Sequence, residues 1–139
     1  MRRIMGSLMF VALIAFASAG AARAEEPGPA IQSAIERQIA AFLANDLEGA
    51  FAIASPSIQQ IFKTPKIFGQ MVQNGYPMVW RPARYEMLKL VETEAGLVQV
   101  VLFEDASGRL HEAGYLMQQV DGVWRINGVH VRKQPGVGT

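Results

Sequence analysis

Two histidines, His111 and His130, are the side chains best suited to proton transfer near neutral pH, and the chain has no others. As a pair they could share a ligand or sense pH. A metal site needs three or four protein ligands and an ordered outer shell. The nearest carboxylates, Glu104 and Asp105, belong to a turn whose register local rules do not define. With no Cys at all, thiol catalysis and Cys-based metal sites are excluded. Ser55, Ser57 and Ser107 fall at caps and turns without a readable His partner, so a nucleophilic triad has nothing to rest on. The expectation is no catalytic set, no metal and no cofactor.

The residues that could line a binding site are of another kind. Tyr76, Trp80 and Tyr115 each join an apolar body to a polar tip, and Met117 adds a deformable apolar side chain. Together with His111 and His130 they form the candidate ligand-binding set. The competing reading makes the aromatics core anchors. Asp46 is accounted for as a helix N-cap, and Arg81 and Arg84 as partners of Glu86 or of an anionic ligand.

What must position these residues is a sheet. From residue 84 onward the chain reads as four strands, Arg84 to Glu92, Leu97 to Glu104, Arg109 to Val120 and Val123 to Lys133, separated by "TEAG", "DASG" and "DG". The two-residue turn Asp121-Gly122 sets Val120 opposite Val123, and strict alternation then pairs Met117 with Ile126, Tyr115 with Gly128, Ala113 with His130 and His111 with Arg132. On that register both histidines lie on one face as diagonal neighbours, about 7–8 Å apart. Tyr115 would lie over Gly128. A one-residue bulge, for which Gly114 or Gly128 provides room, would invert the parity.

Ahead of the strands the period changes to that of helices. Ile31, Ala34, Ile35, Ile39, Phe42 and Leu43 form one apolar stripe after Pro29. Asn45-Asp46 separates it from "LEGAFAIA", and Ser55-Pro56 and Thr64-Pro65 open two more helices, the last closed by Asn74-Gly75. Pro77 and Pro82 then stiffen a crossing in which Tyr76, Met78 and Trp80 alternate as an extended segment would. Helices first and strands second indicate an α+β domain, with helices on one face of an antiparallel meander.

The first 24 residues read differently again, with Arg2 and Arg3, an apolar run and a small-residue ending Ala22-Arg23-Ala24. This is the pattern of a cleaved export signal, followed by a disordered leader at 25–29, the domain at 30–133 and a flexible tail at 134–139. Without the signal, ten basic residues face twelve acidic ones. A net charge of −2 with no basic cluster argues against nucleic acid and against an anionic membrane surface. The expected location is exported, periplasmic or secreted, without stable membrane insertion once the signal is removed.

The helix–strand order, with "FLANDLEGAFAIASP" near the start and "DGVWRINGV" near the end, resembles the nuclear transport factor 2-like superfamily, the cone-shaped α+β fold of ketosteroid isomerases. The segments "GYPMVWRP" and "WRINGV" are similar to those of an exported bacterial family of unknown function. The resemblance implies a curved sheet that wraps the helices and leaves a pocket between them. The isomerases' acidic base has no alignable match here, so their catalytic roles are not carried over. The expected function is non-catalytic binding of a small apolar or amphipathic ligand in that pocket. The alternatives are an interaction module that pairs with itself or an envelope protein, and a small isomerase or dehydratase using His111, His130 or Tyr115.

Overall fold

The computed structural model describes residues 26–133. The signal expected at 1–24, Glu25 and the tail at 134–139 lie outside the described residues. Five helices precede four strands: α1 (Pro27–Leu43), α2 (Leu47–Ile53), α3 (Pro56–Phe62), α4 (Pro65–Gly75), α5 (Pro77–Trp80), β1 (Arg84–Thr93), β2 (Gly96–Glu104), β3 (Leu110–Val120) and β4 (Val123–Lys133). The fold is α+β, with the helices packed on a curved antiparallel sheet of order β1-β2-β3-β4.

Local chemistry explains most helix ends. Pro27 takes the first position of α1. Pro29 is the third, and neither position has an intrahelical acceptor for an N–H. The helix therefore starts earlier than Pro29, and residues 27–29 are helical and not part of a disordered leader. Asp46 caps α2 by accepting from the Gly49 N–H at 2.9 Å. A Cβ at Gly49 would stand 2.3 Å from Asp46 Oδ2, so the cap needs glycine there. Ser55 and Thr64 cap α3 and α4 in the same way, each followed by Pro at the first helical position.

The stretch between the two prolines departs from expectation. Pro77 to Trp80 forms one helical turn and not an extended crossing. Pro77 presets the first helical φ, while the residues before Pro77 and Pro82 stay outside the helix, Tyr76 at ψ 60° and Arg81 at ψ 70°. The turn places Val79 in the core.

The core forms between the α1 stripe, Ile31, Ala34, Ile35, Ile39 and Phe42, and the helix-facing side of the sheet, Val101, Phe103, Ala113, Tyr115, Met117 and Ile126. Strand β4 follows the turn-derived pairing from Val120↔Val123 to Met117↔Ile126 and then slips by one residue. Beyond the slip Leu116 pairs with Gly128, Tyr115 with Val129, Gly114 with His130 and Glu112 with Arg132. The extra residue is Asn127, whose Oδ1 accepts a hydrogen bond from Ser55 Oγ at 2.7 Å. Ser55 N also donates to the Ile126 carbonyl at 2.8 Å. The junction between α2 and α3 thus docks on β4 where it bulges.

Candidate functional site

The slip reverses the parity of the far half of β4. His111 stays on the helix-facing side, 5% exposed, whereas His130 is exposed on the outer face opposite Gly114. The two histidines are not same-face neighbours, so the shared ligand or pH-sensing pair that the turn-derived register allowed is not assembled. Tyr115 faces Val129 and not Gly128. It is fully buried beside Phe103, at 6.3 Å between ring centroids, and burial pushes its phenol well above the ordinary range.

His111 has a different partner. Its Nε2 lies 2.8 Å from Asp105 Oδ2, and because an ionised carboxylate can only accept, Nε2 carries the proton. The second Asp105 oxygen accepts from Ser107 N at 2.9 Å, Ser107 Oγ at 2.7 Å and Arg109 N at 2.9 Å. The His111 bond, followed by those from Ser107 and Arg109, holds this carboxyl well below the usual carboxylate range. The cluster locks the β2–β3 turn onto the sheet. None of its members lines a cavity with the other candidates. Among the described residues, no group of three or more His, Cys, Asp or Glu side chains could hold a metal ion.

An apolar pocket, partly open to solvent, lies elsewhere, between the helices and β4. It has a volume of about 220 Å³ and is walled by Gln38 and Phe42 of α1, Ile58 and Phe62 of α3, Phe68, Met71 and Val72 of α4, Tyr76 and Val79 at α5, and Ile126 and Val129 of β4. Phe68 gathers three other rings, Phe42 at 5.9 Å and Phe62 at 5.8 Å from the lining and Phe51, outside it, at 5.4 Å. No charged side chain reaches the lining. Its hydrogen-bonding side chains are Gln38 and Tyr76.

Of the six candidates, Tyr76 alone lines this cavity. Its hydroxyl donates to the Val129 carbonyl at 3.5 Å, the outer limit for such a bond. Trp80 packs behind the wall, 5.6 Å from Phe42, with the Arg81 guanidinium 4.4 Å over its ring. Arg81 is engaged by the carbonyls of Phe42, at 2.6 Å, and Trp80, at 2.8 Å, and by Asn45 Oδ1, not by Glu86. Arg84 pairs with Glu104. Met117 is buried in the core and His130 borders a shallow outer trough between the strands. Gln38 was not among the candidates. Its signal was legible, a polar residue inside the apolar stripe that carries Ala34 and Phe42.

Fold and pocket together define a small α+β domain with an uncharged, partly open pocket beneath its helices. The chain belongs to the family described as a domain of unknown function (DUF4864), whose match spans residues 24–139. No curated protein and no solved structure matches it.

Proposed function

We propose that this is an exported, non-catalytic binding protein of the cone-shaped kind that the nuclear transport factor 2-like superfamily shares, holding a small apolar or amphipathic ligand beneath its helices. The observation that carries the reading is the pocket: partly open to solvent, walled by aromatic and aliphatic side chains, and free of charged groups. Export rests on the signal-like residues 1–24. The groups that the catalytic reading relied on, His111, His130 and Tyr115, do not line that space.

Native mass spectrometry of the protein as purified, followed by a thermal-shift panel of small neutral compounds, tests this. A ligand at about a hundred times its Kd stabilises by about 2.7 kcal/mol, which moves the melting temperature by on the order of 10 °C in a domain of this size. An empty protein that no compound stabilises would remove the reading.

A second reading is an interaction module. It is favoured by the outer sheet face, where Val98, Val100 and Leu116 border a trough of about 560 Å³ open to solvent. Sedimentation showing a strict monomer, with no envelope protein retained on the immobilised chain, would count against it.

A further inference from the structure

Gln38 is the anomaly of the cavity. It sits in the middle of the apolar stripe of α1, 3% exposed, at a position where Leu or Ile would serve packing and avoid the loss of side-chain freedom. Its Nε2 donates to the Ala50 carbonyl at 3.1 Å. That bond orients the amide and leaves Oε1 as the acceptor Gln38 can turn to the cavity it lines. In the same lining the Tyr76 hydroxyl holds only a 3.5 Å bond to Val129, so its proton and lone pairs remain open to a better partner.

Size and charge narrow the occupant further. A cavity of about 150 Å³ takes up benzene, with about six heavy atoms. The 220 Å³ here scales to about nine heavy atoms. A carboxylate, phosphate or ammonium drawn below the pocket mouth would meet no counter-charge in the lining.

We infer that the ligand is a neutral, single-ring molecule carrying one hydroxyl, with Gln38 Oε1 accepting its proton and Tyr76 OH bonding its oxygen. This rests on the binding reading above and adds to it a specificity device. An acceptor on an apolar wall discriminates against an analogue with nothing to donate, because such an analogue covers the acceptor and leaves it unpaired.

The test compares toluene, benzyl alcohol and benzoate on the full chain at neutral pH by calorimetry and thermal shift. Benzyl alcohol should bind at least about tenfold more tightly than toluene, and benzoate should not bind. In Gln38→Leu the preference for the alcohol should vanish while toluene binds as well or better. Tyr76→Phe should lose part of the preference, which keeps the test decisive if Gln38→Leu does not fold. Equal binding of toluene and benzyl alcohol, or binding of benzoate, would overturn the inference and leave the cavity reading standing. Failure of all three, and of a wider apolar panel, would remove both.

Discussion

Ser55 and Asn127 are joined across 72 residues by a hydroxyl-to-amide hydrogen bond of 2.7 Å, and Asn127 is the extra residue that turns His130 away from His111. Ser55 is fully buried and also caps α3, so one side chain both starts a helix and holds the bulge.

Ser55→Ala should therefore cost more than an ordinary cap. About 1 kcal/mol is expected for the cap and about another 1–2 kcal/mol for the Asn127 amide left without its partner. Urea unfolding of the variant reads the sum. A loss below about 0.5 kcal/mol would show that the bond does not hold the bulge.

The Asp105 carboxyl is lowered in the folded chain by His111 and by the turn donors. A depressed carboxylate contributes stability above its unfolded pKa of about 3.9, and that contribution is lost as pH falls below it. Asp105→Asn should be less stable than the parent by a constant amount above about pH 5, and the gap should begin to narrow near pH 4 and shrink progressively as pH falls toward the lowered folded value. A gap that persists unchanged to pH 2 would contradict this linkage. Melting temperatures across the pH range supply the comparison.

Arg81 closes the C-terminal end of α1 while lying over Trp80. Arg81→Ala should destabilise by about 1–3 kcal/mol through lost carbonyl partners and stacking. Arg81→Lys should recover less than half of this, since an ammonium cannot serve the Phe42 and Trp80 carbonyls and Asn45 from one planar group. Full recovery by Lys in denaturant unfolding would mean that charge alone matters.

Val72 is 5% exposed on the cavity wall. Val72→Phe should fill part of the space, so binding of a ring-sized neutral probe should fall more than tenfold while the melting temperature is kept within a few degrees. Unchanged probe affinity would place the binding site elsewhere.

Much of the fold was legible because the signals act over a few residues. Ser55-Pro56 and Thr64-Pro65 start helices through bonds to the third residue on, and Asp121-Gly122 sets a register through its own backbone, with Asp121 at φ 50° and Gly122 at φ 78°. The candidate site was less legible. Tyr76 was found as an aromatic with a polar tip, but Trp80, similar in type and nearby, lies behind the wall because Pro77 starts a helical turn where alternation suggested an extended chain.

What the sequence by itself determined is the local grammar: the α1 stripe, the caps, the turns and the order of helices before strands. The tertiary structure alone decided which side chains meet. The bulge at Asn127 depends on Ser55, the partner of His111 is an aspartate in the preceding turn, and Gln38 reaches a cavity completed by three other helices and β4. Each of these depends on contacts between distant parts of the chain, whose closure entropy is offset only when the whole domain folds, and no window of neighbouring residues contains them.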